Sequence, residues 1–579
     1  MKSKLPADWG WWCLITVGCL LLFGRGLHYD FLAGWDDDAY VSCNAGLTWS
    51  WSNLLHWWRT PLEGLLTPLT ANSLMLDAAI WGQKEPDGFR LTNILLHTLS
   101  ALLFFSIGRK MRVPAGWMCG ITLCWALHVQ RLESVVWIAE RKDVLGGILC
   151  LAAWRFALCR DRRTGMAAAA LCGVLAVFAK PAMAGCAVLI AAAAWQNRDG
   201  KGGRRKWLLP GAAVLLTALA VLPAWCMAAD SGIPQDAFSR KIYVVIRNFC
   251  WYFCNGILPI SANPLYPRVS GSEGVFMGAF SLLVLLFSWG RAVYGRRSGW
   301  FRRYLPWMLV WGAFLVPSCG WRVFSNTDYA DRYNYFPSLI FFFCLALLGR
   351  DTMAKYRKSC CPLTVLILIL AILTGIRSAV QLPVWKNAET LFKSALQAQP
   401  LPNPKAVEGL GRIGLAESRP DLLILAGENF LRMSMTGSAP STQSGSAAIW
   451  RNMGIFYMGL AAYLERRYDS ARSWWKDIAD TEGAVMYYGD LYFPVLYGGY
   501  ADVCLRGGES AAAQAAFGKQ MKHLKKQGAA WYRAHGMIAL LQGDEVGALH
   551  AFEQALAKQR HPDKQLERLA DALRKKRKR

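Results

Sequence analysis

Apolar residues along the chain are gathered into long runs that recur up to about residue 380 and then stop. Most runs are about 15–22 residues long, close to the ~20 residues that a helix needs to cross the hydrocarbon core of a bilayer. This pattern predicts an all-α, polytopic membrane domain over residues 1–380, followed by a water-soluble domain. About eleven spans are expected, at 10–27, 91–108, 113–128, 144–159, 165–180, 182–196, 207–228, 274–290, 304–320, 335–349 and 361–379.

The basic residues between these spans cluster on alternate sides of the predicted membrane. Cytoplasmic loops carry the excess of Lys and Arg, so these clusters place the N-terminus in the cytoplasm. The first span is expected to stay in the protein, because no small-residue site of the kind that ends a signal peptide follows it. An odd number of spans then places the C-terminal region outside, in a periplasm or lumen. The loops that face outward are 28–90, 128–143, 229–273 and 321–334.

These outward loops carry many ionisable residues within a few positions of a span end. Charged groups near membrane depth are costly, and they usually mark function. Carboxylates and basic groups at an outer leaflet suit a substrate that carries a phosphate on a long lipid. The chemistry predicted is glycosyl transfer from a polyprenyl-phosphate sugar. Asp36 or Asp37, in the stretch GWDDDAY (34–40), is the candidate base for an incoming hydroxyl, and Arg332, Arg141 and Lys180 are the candidate phosphate ligands.

Composition narrows the partners of the chain. The 579 residues carry a net charge of +26, and the run RKKRKR (574–579) would suit nucleic acid on the cytoplasmic side. Outward placement excludes that partner and indicates anionic lipid or a solvated end. Nearly all of the 17 Cys lie in or beside apolar spans, which supports neither a disulfide framework nor a zinc site. Paired aspartates also bind Mg²⁺ or Mn²⁺, so a divalent metal is left open with no ligand assigned to it.

After Trp385 the pattern changes to pairs of amphipathic helices. Small and aromatic residues recur at the spacing of tetratricopeptide repeats, with a period near 34 residues. We predict a junction at 381–400, a repeat domain at 401–562 and a basic tail at 563–579. The individual copies are expected at 446–479, 496–521 and 528–562, with a degenerate copy at 400–432.

Two other functions fit parts of this pattern. A transporter or flippase would also place charges in a membrane domain, but most spans lack a central charge and no internal hydropathy repeat is seen. A non-catalytic scaffold, in which the repeats bind protein partners and the spans anchor them, is the main alternative to an enzyme.

Several stretches together resemble one family. They are WDDDAYV (35–41), LTNILLH (91–97), ESVVWIAERKDVL (133–145), AKPAM (179–183), ADRYNYFP (330–337) and VWKNAETLFKSAL (384–396), in that order and with the repeats following. The set resembles the bacterial branch of the transmembrane and tetratricopeptide-repeat protein O-mannosyltransferase-like family, within the GT-C glycosyltransferase superfamily.

The resemblance implies a membrane glycosyltransferase with an active site outside the cytoplasm and a lipid-phosphate sugar as donor. The acceptor implied is a hydroxyl, either Ser or Thr of an exported protein or a glycan. An acidic residue of the first outer loop is usually catalytic in such enzymes, which points to Asp37 and Asp36. The matching positions of the later loops imply supporting roles for Glu133, His128, Glu140, Asp143 and Asp331, beside Arg332, Arg141 and Lys180. A bacterial inner membrane is the expected location, with the repeats in the periplasm.

The chain departs from the family pattern at Arg90, at Val129 and at Arg131. The family often has His at the first position, Pro at the second and a second His at the third. These departures leave the sugar, and activity itself, open to test.

Overall fold

The computed structural model describes residues 8–159, 161–196, 208–223, 238–257, 262–266, 300–319, 329–356, 360–397, 402–435, 446–481, 484–486, 489–559 and 563–577. Within these ranges the regular structure is helical, apart from one isolated bridge between Leu62 and Leu65. The predicted all-α fold class is therefore confirmed. The chain divides into two compact units, residues 1–398 and 399–579.

The first unit holds every candidate site residue. Its helices are α1 Trp9–Phe23, α2 Trp51–His56, α3 Pro68–Trp81, α4 Pro86–Lys110, α5 Ala115–Ala126, α6 Arg131–Val136, α7 Arg141–Ala157, α8 Arg162–Ala179, α9 Cys186–Gln196, α10 Leu208–Leu219, α11 Phe238–Ile257, α12 Trp300–Leu315, α13 Tyr335–Lys355, α14 Cys360–Gln381 and α15 Ala388–Gln397.

A helix lies within each predicted span except 274–290, which is outside the described residues. Among the described helices, four segments are long and apolar enough to cross a membrane: Trp9–Gly26, Pro86–Lys110, Asp331–Lys355 and Cys361–Trp385. Shorter apolar helices are Ala115–Ala126, Arg163–Ala179, Pro181–Gln196 and Leu208–Pro223. The number of spans beyond these four, and the sidedness of the loops, stay predictions.

Local sequence explains where the helices around the site begin and end. Pro68 and Pro86 open α3 and α4, where a missing backbone N–H costs nothing. Gly82 ends α3 at φ +92°, in the left-handed region that favours glycine. Only four residues separate the end of α3 from the start of α4, and both helices pack against α7.

An aromatic core joins the three helices whose ends surround the site. The rings of Trp154 (α7), Trp307 (α12) and Phe343 (α13) lie 4.6–4.8 Å apart, centroid to centroid. Trp154 and Trp307 are fully buried. Large buried rings dominate the energetics of a core, so this group fixes the spacing of α7, α12 and α13.

The second unit is a run of consecutive helices that pack in pairs. They occupy the described parts of each predicted repeat copy, while their assignment to the tetratricopeptide class stays a prediction. The helices are α16 Pro404–Ala416, α17 Pro420–Met435, α18 Ser446–Leu464, α19 Tyr468–Asp480, α20 Gly489–Arg506, α21 Ser510–His523, α22 Ala529–Leu541, α23 Glu545–Ala557 and α24 Lys564–Arg577.

We expect Gly459→Ala to destabilise this unit by about 1–3 kcal/mol, because a Cβ there overlaps a buried ring. That Cβ would lie 2.3 Å from Nε1 of Trp475, which is fully buried and donates a hydrogen bond to the Phe456 carbonyl. Thermal unfolding of the full chain measures the loss. Gly518→Ala is the control: nothing lies within 4 Å of its Cβ position, so it should be neutral or slightly stabilising. Equal effects of the two substitutions would contradict the packing argument.

Candidate active site

Asp37 is the most enclosed carboxylate of the GWDDDAY stretch. It is fully buried, and each of its oxygens accepts a 2.9 Å hydrogen bond, one from the Leu32 N–H and one from the Ala139 N–H. Burial raises the pKa of Asp37 to about 6, against these two hydrogen bonds, which lower it. Asp37 thus joins residues 28–90 to residues 128–143, and both of its oxygens already have partners.

Asp38 also serves local structure. Its carboxylate accepts the Gly34 N–H at 2.7 Å and the Ser42 hydroxyl at 2.9 Å. Gly34 has φ +75°, so this is a tight turn closed by an aspartate side chain. Asp38 is not among the predicted bases, and both of its oxygens are engaged within this turn.

Asp36 differs from its two neighbours. It is half-buried, and its side chain makes no hydrogen bond or ion pair with any described residue. It lies close enough to Lys142 for its charge to act there. Burial lowers the pKa of Lys142, but the negative charges of Glu140, Tyr40 and Asp36 raise it above the ordinary value. Asp36 is therefore a carboxylate held beside a buried ammonium group with its oxygens free for a ligand.

Behind Asp36 lies a group of alternating charges, which we call the charged cluster: Glu133, Glu140, Lys142, Asp143, Lys180 and Arg332. The N–O distances are 3.2 Å for Lys142–Glu140, 3.6 Å for Lys180–Glu140, 2.5 Å for Lys180–Asp143, 3.4 Å for Arg332–Glu140 and 2.5 Å for Arg332–Glu133. Five of the six side chains were predicted for the site, and the fold brings them together from three separate segments of the chain.

Glu140 is the centre of the charged cluster. Burial alone would raise its pKa, but the positive charges of Lys142, Lys180 and Arg332 lower it to about 2. Three cations thus converge on this one carboxylate, and Glu133 and Asp143 balance the other two of their charges. Aromatic rings line the same space: the Arg332 guanidinium lies 5.4 Å from the ring centroid of Trp137 and 4.7 Å from that of Tyr333.

A small pocket opens onto this cluster. Lys180, Arg332 and Asp143 supply its charged wall. Its apolar wall comes from the start of α13, the end of α12 and the segment after Lys180, through Ala182, Met183, Phe314, Phe336 and Pro337. Its lining thus places two cations opposite aliphatic and aromatic groups, the two kinds of partner that a phosphate on a hydrocarbon chain requires.

Arg141 points away from the pocket. It is fully buried, ion-paired at 2.5 Å with Asp77 of α3, and hydrogen-bonded to Ser73 and to the Phe89 carbonyl. It also donates to Asn93. Because these contacts occupy its guanidinium, we leave Arg141 out of the phosphate site in which the sequence had placed it.

We expect Arg141→Lys to lower the free energy of unfolding by about 1–3 kcal/mol. A lysine keeps the ion pair with Asp77 but cannot make most of the hydrogen bonds that the guanidinium N–H groups donate. The melting temperature in detergent measures this loss. Transfer activity and phosphate binding per folded molecule should stay near the native level. A stable variant that no longer binds lipid phosphate would return Arg141 to the phosphate site.

Lys142 is the site residue that the sequence did not single out. Its ammonium group is buried, 4.5 Å from the ring centroid of Tyr40 and 3.4 Å from that tyrosine's hydroxyl. Arg141 and Lys142 are adjacent at the start of α7, and successive helical residues point about 100° apart. In the structure Lys142 faces the charged cluster and Arg141 faces α3. The sequence does not give the orientation of α7, so it does not show which of the two residues faces the cluster.

The remaining predicted supporting residues form a polar layer beside the cluster. His128 is buried, and its Nε2 has no hydrogen-bond partner among the described residues. Asp331 is buried and accepts hydrogen bonds from Gln130 at 3.0 Å and from the Tyr266 hydroxyl at 3.2 Å. These residues flank Glu133 and Arg332 without lining the pocket.

Two departures from the family pattern have structural roles. Arg90 donates to the carbonyls of Leu27, Tyr29, Asp30 and Val136. Arg131 donates to two carbonyls at the start of α13. Both arginines are buried, and their hydrogen bonds hold backbone segments next to the site. Neither residue belongs to the charged cluster, so these two departures from the family pattern leave the cluster complete.

Within the described ranges, no group of three or more His, Cys, Asp and Glu side chains is placed to hold a metal ion. The carboxylates of the charged cluster are each paired with a cation of the protein itself.

Comparisons with known proteins are sparse. No protein-family model matches the chain, and no curated protein matches it. Two solved structures that match are those of ArnT from Cupriavidus metallidurans, in the apo state and bound to undecaprenyl phosphate. Sequence identity is 15% and the TM-score 0.31 in both cases. The first match covers 94% of this chain and 79% of that chain, and the second covers 93% and 78%. At this TM-score the likeness carries no weight for the chemistry of the site.

Proposed function

We propose that the chain is an integral-membrane glycosyltransferase that moves a monosaccharide from a polyprenyl-phosphate donor to a hydroxyl acceptor on the extracytoplasmic face. One observation carries the proposal. Lys180 and Arg332 share a pocket with an apolar wall, and the carboxylate of Asp36, which has no ion pair with a described residue, lies near the same charged cluster. The resemblance in the outward loops supports the same reaction.

The donor phosphate would bind Lys180 and Arg332, as phosphates bind clustered basic side chains. Its lipid tail would lie against Met183, Phe314 and Phe336. The anomeric carbon of the sugar would then have to lie within reach of both Asp36 and the acceptor hydroxyl.

Asp36 would take the proton from the acceptor hydroxyl as its oxygen attacks the anomeric carbon. The bond from that carbon to the phosphate oxygen breaks, and the lipid phosphate leaves with the electron pair. Arg332 and Lys180 would stabilise the charge that develops on the leaving phosphate. A single displacement of this kind inverts the anomeric centre.

The acceptor we propose is Ser or Thr of an exported protein, or a glycan, held by the helix pairs of residues 401–562. A hexose such as mannose is the sugar that the family resemblance favours. Neither the sugar nor the acceptor is defined by the pocket.

Incubation of the purified protein with a radiolabelled polyprenyl-phosphate hexose and an acceptor peptide tests the reaction. Release of polyprenyl phosphate, with the label recovered on the peptide, is the expected result. Mass spectrometry of extracytoplasmic glycoproteins with and without this gene then identifies the native acceptor. Capture of protein partners by the repeats without any consumption of lipid-linked sugar would instead support the scaffold.

A further inference from the structure

The cations of the charged cluster are matched by carboxylates. Lys142, Lys180 and Arg332 face Glu133, Glu140 and Asp143, and each cation forms at least one ion pair within the cluster. All six side chains are 13% exposed or less. Buried cations are costly without counter-charges, so paired carboxylates are expected here, and the same carboxylates also set the net charge that a bound phosphate meets.

The proposed reaction changes the charge of the phosphate, and the inference rests on that proposed function. A sugar-phosphate-lipid donor is a diester with one negative charge. When the sugar leaves and Asp36 takes the acceptor proton, the phosphate becomes a monoester. A phosphate monoester has a second pKa near 6, so at pH 8 it carries nearly two negative charges.

We propose that Asp143 and Glu133 are specificity-determining residues that make the pocket favour the singly charged diester donor over the doubly charged monoester product. Their two negative charges balance those of Lys180 and Arg332, so the pocket offers N–H donors with little net positive charge. Such a pocket tolerates one negative charge better than two. The same residues therefore retain the donor and expel the spent lipid phosphate.

The position of Asp143 suits this role. One of its oxygens pairs with Lys180 and the other accepts a hydrogen bond from Ser134 at 3.3 Å, while its side chain lines the pocket. Glu133 pairs with the Arg332 guanidinium and also accepts that residue's backbone N–H at 2.8 Å. Each carboxylate thus holds one of the two phosphate ligands.

Other charges lie near these carboxylates. Arg131 of α6 is positively charged and acts on Asp143. Asp331, in the turn before α13, acts on Glu133, but burial raises the pKa of Asp331 to about 8, so at pH 8 it carries only part of its negative charge. Asp36 adds one negative charge on the side of Lys142, which strengthens the bias against a dianion while it is ionised.

The test measures equilibrium binding to the full-length protein in nanodiscs at pH 8. The two probes are a short polyprenyl phosphate and its methyl diester, which share a lipid and differ by one charge. The native protein should bind the diester more tightly than the monoester. Asp143→Asn and, separately, Glu133→Gln should each raise the affinity for the monoester by about tenfold, because each removes one negative charge a few ångströms from the phosphate.

Glu63→Gln is the charge-matched control, since Glu63 is exposed and forms no ion pair with a described residue. It should leave both affinities unchanged. Tighter binding of the monoester than of the diester by the native protein would overturn the inference even if both variants failed to fold. So would folded variants that bind the monoester no better. Failure of the native protein to bind either lipid would overturn the proposed function as well, and is distinguishable from both of those outcomes.

Discussion

Replacing Asp36 with asparagine is expected to slow sugar transfer by about 10²–10⁴-fold, the usual contribution of a positioned general base. Asparagine keeps the size of the side chain but cannot take the acceptor proton. Lipid-phosphate binding should be retained, since Asp36 forms no ion pair with Lys180 or Arg332. The initial rate of polyprenyl phosphate release at saturating acceptor, together with an equilibrium binding measurement, separates the two effects.

Asp37→Asn is the matched variant, because it tests whether Asp37 and not Asp36 is the base. The Asp37 carboxylate accepts two backbone N–H groups, so an amide would turn an N–H toward one of them. We expect a loss of about 1–3 kcal/mol in stability with transfer per folded molecule largely kept. The opposite pattern, in which Asp36→Asn remains active and a stable Asp37→Asn does not, would assign the base to Asp37.

The fold followed from the sequence because lipid imposes a simple rule. A helix satisfies its own backbone hydrogen bonds, so each apolar run of sufficient length predicts one, and a helix lies in every described run. The run predicted at 113–128 and the two runs that meet at Lys180, predicted at 165–180 and 182–196, each contain a helix. The sequence could not supply the packing of α7, α12 and α13 through Trp154, Trp307 and Phe343, because such contacts depend on all three helices at once.

Within the site, the sequence predicted which residues take part but not where their side chains point. Glu133, Glu140, Asp143, Lys180 and Arg332 were expected near one another, and their ion pairs place them so. The aspartates of GWDDDAY occupy three successive positions, and only the backbone of the turn decides which carboxylate is enclosed. A pattern of charges carries no information about that choice.

Arg332→Gln is expected to lower transfer by about 10²–10³-fold, because the developing charge on the leaving phosphate loses its guanidinium donor. The same change should cost stability. Glu133 is buried against Arg332, and removal of one partner from a buried ion pair leaves an uncompensated charge that costs about 3–5 kcal/mol. A loss of activity alone would therefore not distinguish a phosphate ligand from a structural residue.

The double variant Glu133→Gln/Arg332→Gln makes that distinction. It removes both charges, so no uncompensated carboxylate stays buried and most of the lost stability should return. The guanidinium that donates to the phosphate is still absent, so transfer should remain as low as in Arg332→Gln. Binding of polyprenyl phosphate should recover in part, because the loss of the Glu133 charge offsets the loss of the Arg332 charge. The comparison needs only melting temperatures and initial rates for the native protein, the two single variants and the double variant. If the double variant regained transfer along with stability, Arg332 would act only as the partner of Glu133, and the phosphate site would rest on Lys180 alone.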